Sequence, residues 1–435
     1  MLKIMLNNKK TQDYIYKFLL GLIIFYPLIF VFRSAALNLT TVLLGVIFLF
    51  YISNQGRKNN FLLNNFLLFY LFIFFTYVLI NSFFHQQSYF LIFKSLGNFR
   101  YLLLSAAVFY VLQKASTEQK KFLIYFNIIL IIFISADIIY QFFLYKNIFG
   151  FEPGMCNQTV LGKECKRFSG VFKDELIAGS FLSQLGLLFF LLFNSIDKKK
   201  SFVLNKNYIL LLGLFLTIIL SGERNAVLIF ILTILISLFF QKKLIKIFLS
   251  ILLFTLLLFF LGKFSNEVDK RFVKPIQSIN YLNFSKFFNQ VKNSHWGHHY
   301  EAAIELFFEK PIFGHGPKSF RIVCNKTKIE KNSIKENRTY RACATNPHNY
   351  LLEFLSENGI VGGLFYLGFI FIIIYQILKI KNKKDNQNFV IIVLGSLLLA
   401  ILFPLKPSGS FFSTFNATIL FYIVGFYLYY SKKIR

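Results

Sequence analysis

Acidic residues are scarce in this sequence: 19 Asp and Glu stand against 48 Lys and Arg in 435 residues. There is no Asp-x-Asp pair to hold a divalent ion on a nucleotide sugar, no Gly-rich nucleotide loop and no Walker motif. A nucleotide-sugar donor or ATP is therefore not indicated. No two cysteines stand at C-x-x-C spacing, which speaks against zinc. His295-x-x-His298 hints at a metal, but no carboxylate or cysteine cluster joins it at ligand spacing. No small-residue cleavage site follows the first apolar block, which runs into Arg33 and then a second block. The first block reads as a retained anchor and not as a removed signal.

What the chain has in excess is apolar surface. It is 56% hydrophobic with 60 Phe, and its mean hydropathy is +0.58. One globular core cannot hide that much, and the polar residues are segregated into short Lys-rich patches between long apolar blocks. The expected fold class is an all-α polytopic membrane protein with about twelve transmembrane helices and a large periplasmic loop containing short helices. The blocks run 18–32, 35–53, 62–81, 97–113, 122–145, 176–196, 208–222, 224–240, 244–262, 359–378, 388–405 and 410–430. An N-terminal membrane region over 1–262 has an outer segment near 146–175. A large outer loop follows over 263–358, and a C-terminal membrane region over 359–435.

Charge placement sets the expected orientation. With the N-terminus in the cytoplasm, every short inner segment carries Lys or Arg, among them Arg57/Lys58, Lys198/Lys199/Lys200 and Lys432/Lys433/Arg435. The short outer loops carry few, such as Arg33, Lys94 and Lys406. That is the positive-inside pattern, and it accounts for much of the +29 formal charge without nucleic acid as a partner. Both termini are then cytoplasmic. Cys156 and Cys165 share the first outer segment, and Cys324 and Cys343 share the second. Two pairs, each within one outer loop, suggest disulfides in an oxidising compartment, free thiols being the alternative.

The candidate chemistry lies at the outer ends. Asp137, inside the fifth block, reads as a structural hydrogen-bonding carboxylate in preference to a functional one. Arg224 opens the eighth block after Ser221-Gly222-Glu223, where a helix N-terminus and a guanidinium together suit phosphate or pyrophosphate. An interfacial Arg paired with Glu223 reads equally well. In the large loop an amphipathic helix is expected over 299–309, ended by Lys310-Pro311. A Gly314-His315-Gly316-Pro317 turn follows, then Lys318 and Arg321. Asn346 is the expected N-cap of a helix with Pro347 first, His348 in its opening turn and Gly359 closing it. His348 would then be a general base at the outer boundary, a capping or structural His being the alternative.

Together these residues resemble the O-antigen ligase/polymerase family of bacterial membrane glycosyltransferases. His348-Asn349, nine residues, Gly359, two residues and Gly362 match the ligase spacing, with Gly363 where Thr is usual. Arg224-x-x-x-Leu228, the stretch from Tyr300 to Phe320, and Arg167-Phe168-Ser169-Gly170-Val171-Phe172 are similar to family elements. Trp296 stands where the family often has Arg. The resemblance implies a metal-independent enzyme without a cofactor in the bacterial inner membrane. Its periplasmic site would move a glycan from a polyprenyl-pyrophosphate carrier to an acceptor hydroxyl. The acceptor is lipid A–core for a ligase and a growing glycan for a polymerase; a protein-directed oligosaccharyltransferase and a lipid-linked sugar transporter are the other readings. Arg224 and His348 are the expected catalytic residues, and Arg167, Arg271, Lys318, Arg321 and Asn349 the expected substrate-binding ones.

Overall fold

The structure is a computed structural model; it describes residues 9–54, 65–85, 89–159, 162–196, 204–278, 284–335, 341–380 and 386–432. The apolar blocks fold as helices, because in lipid only a helix satisfies its own backbone. They are α1 (Lys9–Ile29), α2 (Arg33–Ser53), α3 (Phe66–Phe84), α4 (Phe99–Lys114) and α5 (Thr117–Leu144). Next come α6 (Ala178–Ser195), α7 (Leu204–Leu220), α8 (Arg224–Phe240) and α9 (Leu244–Phe264). After the loop helix α10 (His295–Glu309) follow α11 (Tyr350–Leu378), α12 (Asn386–Ile401) and α13 (Thr414–Ser431). Among the described residues seven helical stretches are long and apolar enough to cross a membrane, the first of them, Lys10–Ser53, covering both α1 and α2. Ile209–Leu220, Arg224–Phe240 and Gln387–Ile401 are shorter apolar helices.

Side-chain caps place several ends. Asn65 accepts from the amides of Leu67 and Leu68, and Ser116 with Gln119 forms a reciprocal capping box. Small residues let α13 press on α4: a Cβ on Gly425 would lie 2.5 Å from Val108 Cβ and 2.9 Å from the Ser105 carbonyl. By contrast almost none of the α9 residues is buried, as expected of an apolar helix at the rim of the bundle that would face lipid.

The segment near 146–175, expected as an outer loop, holds an antiparallel hairpin, β1 (Gly154–Thr159) and β2 (Gly162–Arg167). Its register sets Cys156 opposite Cys165, and a disulfide joins them. A second disulfide joins Cys324 and Cys343.

Contacts sort the helix ends into two layers. At one end Arg33 pairs with Asp174 at 2.5 Å. There Asn38 Oδ1 accepts from Arg100 at 3.0 Å and from Thr414 at 3.2 Å. At the other end Tyr16 meets Gln119, Lys114 meets Tyr51, and Lys432 meets Gln113. Both groups of candidate residues lie in the first layer.

Candidate active site

The first group forms around the turn between α7 and α8. Gly222 has φ +71°, and a Cβ there would lie 2.2 Å from the Lys166 carbonyl, so only glycine lets β2 approach. The Phe168 amide donates to the Ser221 carbonyl at 3.1 Å, fixing the hairpin on the turn. This sets Arg167 Nη2 3.8 Å from Glu223 and 2.6 Å from the Leu176 carbonyl that it donates to. Arg224 and Arg271 then interlock through backbone carbonyls. Arg224 Nε donates to Arg271 O at 2.8 Å, and Arg271 Nε donates to Gly222 O at 2.9 Å. Tyr145 donates to Glu267 at 2.7 Å, tethering the Arg271 segment to the end of α5.

Three guanidiniums thus gather beside one carboxylate. The expected alternative of Arg224 pairing with Glu223 is not what forms. Glu223, 9% exposed, accepts from the Ser180 amide at 2.9 Å and from its hydroxyl, and faces Arg167. Burial pushes the Glu223 carboxyl up, against the pull of Arg167. Burial, then the neighbouring Arg224 and Arg167, push Arg271 down to about 10. A cluster that disfavours its own charge gains from an incoming anion. Asp137 accepts from the Ile148 amide at 3.0 Å and from Asn147 at 3.3 Å, a role in holding the loop after α5.

The second group surrounds His348, and here the expected capping is corrected. The N-cap is Asn349, whose Oδ1 accepts from the Leu352 amide at 3.0 Å. Asn346 instead accepts from the His348 amide at 2.9 Å, an Asx turn that Pro347 extends. His348 therefore precedes the helix, in the left-handed region at φ +55°. Such a conformation costs energy and has to be held by its surroundings. The Ser408 amide donates to His348 O at 2.8 Å, and Asn349 Nδ2 donates to Pro404 O at 2.7 Å and Lys406 O at 3.3 Å. The loop between α12 and α13 thus clasps the His348 turn. Trp296 presents its ring 4.6 Å from the imidazole, and His299 lies at 5.4 Å. The residue occupying the family's frequent Arg position therefore touches the candidate base.

Gly359 closes the first helical segment as expected: its non-helical backbone at φ +65° separates that segment from the one that runs on to Leu378, and the two together make the kinked α11. A Cβ on Gly359 would lie 2.2 Å from the Ile312 carbonyl, and the Ile360 amide donates to Pro311 O at 2.7 Å. Gly314, His315 and Gly316 dock on the same kink, so this part of the loop motif is architecture. Lys318 is drawn inward: its amide donates to Glu357 at 2.6 Å and its ammonium to Ser410 Oγ at 2.8 Å. Glu353 takes Ser410 Oγ at 2.5 Å and the Phe411 amide at 2.8 Å. Arg321 is exposed. Glu353, Glu357 and the 402–413 loop went unnoticed in the sequence, where a Glu on each of two successive turns reads as a solvated helix face.

Among the described residues no group of three or more His, Cys, Asp or Glu could hold a metal ion. The side chain of His295 lies outside those described. The two groups share one end of the bundle, where α8, which Arg224 opens, packs along α12, whose following loop clasps His348. Residues 209–367 match the family model described as O-Antigen ligase. The match covers Arg224, Arg271, Lys318, Arg321, His348 and Asn349 and leaves out Arg167 and the 402–413 loop. No curated protein matches the chain.

Proposed function

We propose that the protein, whose residues 209–367 match the family model described as O-Antigen ligase, is a ligase. It moves a glycan from a polyprenyl-pyrophosphate carrier to a hydroxyl of lipid A–core at the periplasmic face of the bacterial inner membrane. On this reading about twelve spans with both termini cytoplasmic, as the Lys and Arg pattern of the short loops suggests, would put both residue groups on that face; the paired cysteines suit an oxidising compartment.

The observation that carries this reading is the arginine trio, a concentration of positive charge offset by one buried carboxylate. Its task is to take the charge that develops on pyrophosphate as the bond from the anomeric carbon to the phosphate oxygen breaks. His348 accepts the proton of the acceptor hydroxyl as that oxygen attacks the anomeric carbon. The clasp from Ser408, Pro404 and Lys406 and the Trp296 ring fix where the imidazole stands. No nucleotide, metal or other cofactor is needed, because the donor arrives with its leaving group attached. Membrane lipid surrounds the helices, and the carrier's isoprenoid chain lies among them.

The test is the envelope glycolipid profile of a strain lacking the protein, rescued by wild type or by His348→Ala. Long glycan stranded on the carrier with bare lipid A–core, uncorrected by His348→Ala, is the ligase outcome. A core bearing a single repeat would assign the polymerase reaction instead. An unchanged profile would refute both and direct attention to protein acceptors or to transport.

A further inference from the structure

Lys406 lies in the loop after α12 and is 3% exposed. Its ammonium has no hydrogen-bond acceptor or ion-pair partner among the described residues; the Tyr350 ring, with its centroid 5.1 Å away, is what it faces. A buried unpaired ammonium costs several kcal/mol, so a fold keeps one where something compensates. The nearby carboxylates do not. Glu353 is taken by Ser410 and the Phe411 amide, and Glu357 by the Lys318 and Phe320 amides. Ser408 Oγ, two residues along the same loop, and Ser319 Oγ, next to Lys318, are also buried without partners. The ties from Lys318 to Ser410 and from Ser408 to His348 bring these segments together beside the candidate base. A nearly enclosed ammonium and two buried hydroxyls, none with a partner among the described residues, lie on segments tied together beside the candidate base and describe a place for an anion.

We propose that Lys406, with the hydroxyls of Ser408 and Ser319, binds phosphate oxygens of the lipid-linked donor, completing from the His348 side the anion site that the arginine trio begins. The inference rests on the pyrophosphate-donor reading above and adds to it a residue from outside the matched 209–367 stretch. Burial alone holds the Lys406 ammonium down to about 7, so an arriving phosphate would also restore its charge.

The experiment measures binding of undecaprenyl pyrophosphate and of uncharged undecaprenol to the full chain in lipid nanodiscs. Wild type is compared with Lys406→Met, Lys406→Arg and Arg224→Ala, each with its melting temperature. Lys406→Met is expected to weaken undecaprenyl pyrophosphate at least about tenfold, as loss of one charge-assisted contact predicts. It should leave undecaprenol unchanged and melt no lower than wild type, while Lys406→Arg recovers part of the loss. Unchanged pyrophosphate binding in Lys406→Met beside a loss in Arg224→Ala would overturn the inference and leave the donor reading standing. A lowered melting temperature with both lipids weakened would make Lys406 a packing residue and overturn it as well. A loss confined to a phosphorylated lipid A probe would move the corner to the acceptor and overturn the donor assignment. Wild type that binds both polyprenyl lipids alike would remove the donor reading itself.

Discussion

Replacing Glu223 by Gln separates what the fold needs from what the substrate needs. The carboxylate stands 3.8 Å from Arg167 with both side chains mostly covered. At an effective dielectric near 20, a unit pair at that distance is worth about 4 kcal/mol. Gln keeps the shape and one acceptor for Ser180 but loses the charge; the desolvation it recovers offsets part of the Coulomb loss, and the guanidinium left without its counter-ion brings the net loss in stability to about 2 kcal/mol. For a chain of this size that is a fall in melting temperature of about 2 °C, read at pH 8, well above the ordinary carboxylate range. The second half of the prediction is sharper. If Glu223 competes with the substrate for the arginines, inorganic pyrophosphate should rescue the variant more than it raises wild type. At a hundredfold excess over its Kd, a ligand adds about 2.7 kcal/mol, enough to restore the loss. Melting in nanodiscs across a pyrophosphate titration gives both numbers. No rise in either protein would refute the trio as a pyrophosphate site. A larger rise in wild type would refute the competition.

Three further outcomes follow from the geometry. His348→Gly removes the base but suits φ +55°; it should melt about 1 kcal/mol more stably than His348→Ala while both lose transfer activity about 100-fold or more. Serine at Cys324 and Cys343 opens a crosslink of sequence separation 19; about 3 kcal/mol should be lost, seen as a lower melting temperature that reductant changes less than it does wild type, since only the Cys156–Cys165 disulfide is left to reduce. Lys406 titrates near 10.5 unfolded but about 7 folded, so the unfolded chain binds the extra proton between these values and stability rises with pH across that window. The rise is at most about 1.4 kcal/mol per pH unit, and Lys406→Met should flatten it in melts from pH 6.5 to 10.

What the sequence disclosed and what it withheld divide along a physical line. A helix that faces lipid is apolar all round, so each block announces itself without any partner, and α1 to α9 fall where the runs of Phe, Leu and Ile are. Arg224 was legible for the same reason: a charge at the edge of an apolar run has one place to go. The hairpin at 154–167 was not, because Gly-Met-Cys-Asn-Gln-Thr shows no alternation, and docking on Gly222 with a disulfide replaces a hydrophobic face. The cap moved from Asn346 to Asn349 because both are good N-cap residues three positions apart. The loop after α12 decides between them, through the amide of Ser408 and the carbonyls of Pro404 and Lys406. Lys406 itself read as one of a few stray outer charges in a count of Lys and Arg. Counting sees sign and order along the chain, whereas burial depends on α11 and the loop after α12 meeting. A lysine between two prolines looks the same in sequence whether it faces water or is enclosed without a counter-ion. Only the enclosed one needs an anion, which is the ground for giving this residue a part in the proposed substrate binding.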